Sequence, residues 1–304
     1  MTRRIVVILN AGSGSGNDDA VAARLRTLFD AAGATADIRP VHDAAQLAAQ
    51  IEAAKAERPD VIVAGGGDGT VSAVAAVLVD SEIALGVLAL GTLNHFAKDL
   101  GVPLDVAEAV RCIAAGQPVR LDVGEVNGRI FVNNSSLGLY PDIVRDRERQ
   151  QKRLGRGKWA AMGWAVLAAL RRYSFMRVTL RVAGRERQVQ TPFVFIGNNE
   201  YQMEGLSIGE RAHLDQGTLS VYFSQRPGRL RLLQFALRAL FGRLRQTRDF
   251  VSLLTPEVVI ESRHRRLRVA TDGEITTMAP PLRYRVRPAS LRVMRAGADA
   301  ASPV

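Results

Sequence analysis

The pattern of hydrophobic and polar positions changes character once along the chain. Up to about residue 121, short strand candidates (4–10, 37–40, 60–64 and 85–90), solidly apolar in all but the second, alternate with longer amphipathic stretches (18–32, 43–56, 70–79 and 104–115). A solid run of four to eight apolar residues fits a strand covered on both faces, and the stretches between fit helices that cover it. Strand and helix in strict alternation predict a doubly wound parallel sheet of the α/β class. Ligands of such sheets sit beyond the carboxyl ends of the strands.

Beyond residue 121 the period drops to two. Alternating stretches recur at 119–126, 129–135, 177–182, 192–198, 217–223, 251–254, 257–262, 267–271, 282–287 and 290–294. Many short strands between turns predict an antiparallel β-sandwich or barrel. Two helical segments, 157–173 and 229–248, interrupt it. In the second, Leu230, Leu233, Leu237, Leu240, Phe241 and Leu244 line one face, and Arg231, Arg238 and Arg245 recur every seven residues. A basic amphipathic helix suits the plane of an anionic membrane, and equally a packed helix with a solvated charged face. Residues 297–304 read as a flexible tail.

Length and composition sharpen this picture. A chain of 304 residues fits two domains. One cysteine, Cys112, excludes an internal disulfide framework and a cysteine-based metal cluster. The apolar run at 5–9 is too short for a signal peptide, and 159–170 is too short to span a bilayer, which predicts a cytoplasmic protein. Residues 1–123 carry 10 Lys/Arg against 15 Asp/Glu, a net −5, whereas 124–304 carry 31 against 15, a net +16. The basic field of the second part attracts anionic partners such as a membrane surface. Nucleic acid is not expected, because that part has neither a recognisable reading motif nor an aromatic stacking platform.

Three predicted strand ends carry polar, glycine-bearing loops. They are Asn10-Ala11-Gly12-Ser13-Gly14, the run Gly65-Gly66-Gly67-Asp68-Gly69-Thr70, and Gly91-Thr92-Leu93-Asn94. Glycines let backbone N–H groups approach phosphate oxygens, and a following helix N-terminus adds its positive dipole end. Asp68 offers a carboxylate to a magnesium ion or to polar groups beside it. Far downstream, Asp272-Gly273-Glu274 follows the strand 267–271 and offers two carboxylates for proton transfer, although alone it reads as a hairpin turn. There is no Gly-Lys-Ser/Thr, no Gly-x-Gly-x-x-Gly and no cluster with zinc-ligand spacing.

In order and spacing these four motifs resemble the diacylglycerol kinase catalytic family, which includes bacterial soluble lipid kinases and sphingosine kinases. The resemblance runs from Arg4 to about Arg295. It implies an α/β nucleotide domain over 1–123, to which the last strand, about 289–296, returns, and a β-rich lipid-substrate domain over 124–288. It also implies transfer of the ATP γ-phosphoryl group, with Mg2+, to the hydroxyl of a diacylglycerol-like lipid at an interdomain site. Carried over by position, Asn10, Gly12, Ser13, Gly14, Gly65, Gly66, Gly67, Asp68, Gly69, Thr70, Gly91 and Thr92 meet ATP, and Asn94 holds the nucleotide loop. Asp68 acts through the metal or the phosphates. Either Asp272 or Glu274 takes the acceptor proton. The partners implied are a lipid substrate and an anionic membrane surface, reached peripherally through the basic part; a homodimer is compatible with it.

The chain departs from the family pattern at two places. His95 stands where a second acid follows Asn94, which changes the charge beside the phosphates. In His213-Leu214-Asp215-Gln216-Gly217, Gln216 takes the place of an acidic metal ligand and Asp215 falls one residue early, so weak or absent binding is expected at that second metal site. Two other readings remain. A kinase of a soluble acceptor such as NAD shares the Gly-Gly-Asp-Gly-Thr loop and a β-rich second domain. A non-catalytic nucleotide- and membrane-binding regulator draws its support from His95 and Gln216.

Overall fold

The computed structural model describes residues 3–10, 18–138, 175–201, 203–204, 207–208, 211–223 and 251–296. The expected helices at 157–173 and 229–248 and the tail at 297–304 lie outside them. The chain divides into two compact units. The first holds Met1–Val123, Leu214–Gln216 and Arg287–Val304, the second Gly124–His213 and Gly217–Val286.

The first unit alternates strand and helix: β1 (Arg4–Asn10), α1 (Asp18–Ala31), β2 (Thr35–Val41), α2 (Ala44–Ala56), β3 (Val61–Gly66), α3 (Asp68–Leu78), β4 (Ala84–Ala89), α4 (His95–Leu100) and α5 (Val106–Ala115). Strand order is β2-β1-β3-β4, all parallel. Every residue of β3 is buried, as a solid apolar run requires when helices cover both faces. Leu25 and Phe29 of α1, Ile51 of α2 and Val74 and Leu78 of α3 are buried with it. Each such side chain contributes roughly 1.5–3 kcal/mol by leaving water. Asp43 and Asp105 cap α2 and α5 by accepting from the N–H groups of Gln46 and Glu108.

Strand β5 (Gln117–Val126) runs from the first unit into the second. There follow β6 (Arg129–Phe131), β7 (Asn134–Gly138), β8 (Met176–Val182), β9 (Arg185–Thr191), β10 (Phe193–Asn198), β11 (Met203–Glu204), β12 (Ser207–Ile208), β13 (Leu219–Phe223), β14 (Val251–Thr255), β15 (Glu257–Ser262), β16 (Leu267–Thr271), β17 (Glu274–Met278) and β18 (Leu282–Arg295). One antiparallel sheet has the order β14-β13-β10-β7-β16-β17. The first half of β18 joins a second antiparallel set, β15-β8-β9. Val194, Ile196, Val221 and Val269 from one sheet share a core with Val178, Leu180, Val258 and Tyr284 from the other, which makes the unit a β-sandwich. The second half of β18 lies parallel to β4 in the first unit, with Val293 beside Leu85.

The expected fold class, a parallel α/β unit followed by an antiparallel β unit, is the one observed. Local boundaries differ in instructive ways. The glycine-rich stretch is not a loop of six residues: β3 runs through Gly66, α3 starts at Asp68, and only Gly67 lies between. The expected strand 129–135 is two strands, broken at residues 132–133. The expected strands 282–287 and 290–294 are one.

Candidate active site

In the first unit, the carboxyl ends of three neighbouring strands lie level, since Leu9 pairs with Gly65 and Gly66 with Ala89. At that edge Asn10 Nδ2 donates to Thr70 Oγ1 (2.9 Å), tying β1 to the first turn of α3. Leu90 N donates to Gly66 O (3.0 Å), tying the loop after β4 to the end of β3. The glycines serve this close approach. A Cβ on Gly66 would meet Thr70 Oγ1 at 2.5 Å, and one on Gly91 would collide with the Gly67 backbone and meet Asn94 Oδ1 at 2.9 Å. Gly69 differs: a Cβ there would meet no protein atom, so space lies open beside the first turn of α3. That helix has no side-chain N-cap, because extended Gly67 occupies the position. Its leading N–H groups and positive dipole end lie at this edge of the sheet.

Asp68 opens α3, and its Oδ1 accepts from the N–H of Phe96 (3.3 Å), joining the starts of α3 and α4. Among the described residues Oδ2 has no partner. Asn94, in the left-handed conformation at φ 51°, closes the loop on itself. Its Oδ1 accepts from Gly91 N (3.1 Å), and its Nδ2 donates to Gly91 O (2.8 Å) and Ala89 O (3.3 Å). Thr92 and His95 are exposed beside it. The structure thus brings Asn10, Gly65–Thr70, Gly91, Thr92 and Asn94 to one edge of one sheet. Gly12, Ser13 and Gly14 lie outside the described residues.

A cleft of about 780 Å³ opens at the opposite edge of this sheet, lined in part by Arg3, Lys55, Arg58, Glu82 and Arg292. Of its cations, Lys55, Arg3 and Arg292 have structural partners. Lys55 donates to Val77 O and Arg3 to Ala114 O, beside the last turns of α3 and α5, where positive charge opposes the helix dipole. Arg292 pairs with Glu82.

In the second unit the two predicted carboxylates occupy a tight hairpin. Asp272 (φ 46°) and Gly273 (φ 87°) join β16 to β17, the paired positive φ values of a two-residue turn. The Asp272 carboxylate faces the bend between β6 and β7. Oδ2 accepts from Val132 N (2.8 Å), and Oδ1 accepts from Asn133 N (2.8 Å) and Asn134 N (3.0 Å). Its own N–H donates back to Asn134 O (2.8 Å). Glu274 projects outward, with a side chain 66% exposed, and Arg129 on β6 reaches it. Arg129 donates through Nη2 to Glu274 Oε2 (2.5 Å) and through Nε to Thr271 Oγ1 (2.7 Å).

Beneath this turn lies a polar core. The Arg211 guanidinium, buried to 3% exposure, donates to Val132 O (2.7 Å), Asn198 O (3.0 Å) and Asn133 Oδ1 (2.8 Å). It lies over the Tyr201 ring at 5.2 Å. Asn198 Nδ2 adds a bond to Val132 O (3.1 Å). On the far side of β7, Ser135 Oγ bonds to Ala270 O and meets the Tyr284 hydroxyl at 3.1 Å. Complete burial pushes the Tyr284 phenol above its ordinary range, which keeps it a neutral hydrogen-bonding group.

Sequence reasoning missed Arg129 and Arg211. Neither lies in a motif, and in a chain with 41 basic residues a single arginine carries no signal. Asp215 is exposed, on the piece of chain whose Leu214 O accepts from Asp122 N. Among the described residues no three His, Cys, Asp or Glu side chains gather as a ready-made metal site. Among them, too, no helix is long and apolar enough to cross a membrane.

Comparison with known proteins supplies the family. Residues 4–126 match the diacylglycerol kinase catalytic domain, and residues 142–295 match the YegS C-terminal NAD kinase beta sandwich-like domain. A Pseudomonas putida protein named "probable lipid kinase YegS-like" is 30% identical over 295 residues, which cover 96% of this chain and 95% of that one. A Chromohalobacter salexigens protein of the same name is 33% identical over 219 residues, 70% of this chain and 69% of that one. In fold, a crystal structure of a diacylglycerol kinase from Bacillus anthracis aligns over 97% of this chain and 98% of its own, with a TM-score of 0.69 at 20% identity. The chain belongs to the diacylglycerol kinase catalytic-domain family, in its YegS-like branch.

Proposed function

We propose that this protein is an ATP- and magnesium-dependent lipid kinase that transfers the γ-phosphoryl group to the hydroxyl of a diacylglycerol-like lipid. The observation that carries the reading is the open start of α3. Its N-terminus lacks a side-chain cap, Gly69 leaves room beside it, and one oxygen of Asp68 is without a described partner. Phosphates fit such a terminus. The names of the relatives supply the acceptor class.

In this reading the N–H groups at the start of α3 and the loop held by Asn94 seat the nucleotide phosphates. The family resemblance adds nucleotide contacts from Gly12, Ser13 and Gly14, which lie outside the described residues. Asp68 would hold a divalent metal as a carboxylate ligand, and the ion would supply positive charge that offsets the transferred group's negative charge. Asp215 alone makes no such site. The Asp272–Glu274 turn serves the acceptor hydroxyl. Phosphoryl transfer asks little covalent chemistry of a protein, so catalysis rests on positioning and charge. The net +16 of residues 124–304 favours peripheral docking on anionic membranes.

The test is incubation with γ-labelled ATP, magnesium and a bacterial lipid extract, with NAD as a parallel acceptor. Label in the lipid fraction is expected. Label in NAD alone transfers the reading to a soluble acceptor, and ATP binding with no label in either removes the kinase assignment.

A further inference from the structure

The cleft at the amino edge of the first unit's sheet is used by nothing described so far. All of its lining residues belong to that unit. Residues 1–123 are acidic as a whole, yet four cations (Arg3, Lys55, Arg58 and Arg292) line the cleft with only two acids, Asp60 and Glu82. Both acids are already engaged. Asp60 Oδ2 accepts from Arg4 N (2.7 Å), and Glu82 meets Arg120 and Arg292. The cations keep donors to spare. Among the described residues, Lys55 spends one of its three N–H donors, on Val77 O, and Arg3 and Arg292 each bond through Nη1 alone. Arg58 spends none. It follows α2 in the left-handed conformation, at φ 52°, where glycine or asparagine sits without strain. Its exposed side chain has no partner among the described residues that would offset this strain. Strain kept under an unpaired charge points to a ligand. The rest of the lining is largely apolar, with Pro59, Val61, Ile83, Ala84, Pro118 and Met294. The volume, about 780 Å³, suits a small organic molecule rather than a lone inorganic ion.

We propose that this cleft binds a small organic dianion, an apolar body that bears a phosphate or a pair of carboxylates. The body covers the apolar lining at the starts of β3 and β4. The charged groups take the spare N–H donors, with Arg58 as the principal contact. An arginine fork matches two oxygens of a phosphate or a carboxylate, and such bonds are charge-assisted. Binding is noncovalent and uses nothing of the α3 cradle at the opposite edge of the sheet, so it holds whether or not the protein is a kinase.

The test titrates the full chain, at constant physiological salt, with two fluorescent probes that share one ring system: naphthyl phosphate and naphthalene dicarboxylate. Uncharged naphthol is the control. At least one dianion is expected to bind as one molecule per chain, roughly tenfold or more tighter than naphthol. The tighter of the two names the charged group. Arg58→Asn removes the charge and suits the left-handed backbone, so its Tm should not fall while its affinity drops roughly tenfold. Arg26→Gln, which removes an exposed charge on α1, and Asp68→Asn, in the cradle, should bind the probe as wild type does. The proposal is overturned if neither dianion binds, if naphthol binds as tightly, or if Arg58→Asn keeps its affinity. It is also overturned if Arg26→Gln loses as much, which would make the attraction a general effect of charge. A loss in Asp68→Asn that Arg58→Asn does not share would place the probe in the cradle and overturn it too.

Discussion

At the scale of single residues, the second unit gives its polar side chains structural duties that motif reading does not reveal. Arg211 is the clearest case. A buried guanidinium costs several kcal/mol in lost hydration and persists because three oxygens and an aromatic face compensate it. Replacing it with Leu removes the charge but leaves those oxygens short of a donor. A loss of roughly 2–4 kcal/mol is expected, read as a lower midpoint in urea at unchanged slope. A midpoint equal to wild type would contradict the role given to Arg211. Asn133 and Asn198 bond to this arginine from distant parts of the chain, and only the structure connects them to it.

At the scale of elements, apolar pattern reported the covered strands and missed the exposed ones. β3 and β10 announce themselves as solid or nearly solid apolar runs. β9 (RERQVQT) and β17 (EITTM) carry little burial and end their sheets, so no hydrophobic face marks them. β18 read as two strands for a physical reason. Its burial alternates up to Val286 and becomes nearly continuous from Ser290, with Ala289 at φ 50° between. The first stretch is half-exposed in an antiparallel sheet, and the second is covered beside parallel β4. α4 has six residues, too few for a helical period to show. The strand ends that bear the site were legible because their glycines are dictated by contact. Gly91 lies against Gly67, backbone to backbone, and neither partner has a side chain to swing away. Gly91→Ala is therefore expected to cost about 1–3 kcal/mol and to weaken ATP binding at least tenfold. A variant that binds ATP as wild type does would mean that this approach does not shape the cradle.

At the scale of the whole molecule, the sign of charge changes along the chain: −5 over residues 1–123 and +16 over 124–304. If the basic part docks on membranes, flotation with vesicles containing anionic phospholipid should fall steeply between low and physiological salt, since surface charges are screened beyond about 8 Å at 0.15 M. Equal flotation with neutral vesicles would assign docking to apolar contact instead. The central claim is that the cradle at the start of α3 serves phosphoryl transfer to a lipid. It is tested most directly by phosphate transfer from γ-labelled ATP to a diacylglycerol in mixed vesicles, with wild type and Asp68→Asn in parallel and Tm recorded for both. The account predicts labelled lipid from the wild type, and from the variant at least a hundredfold less at unchanged Tm. Equal labelling by the two proteins would contradict it.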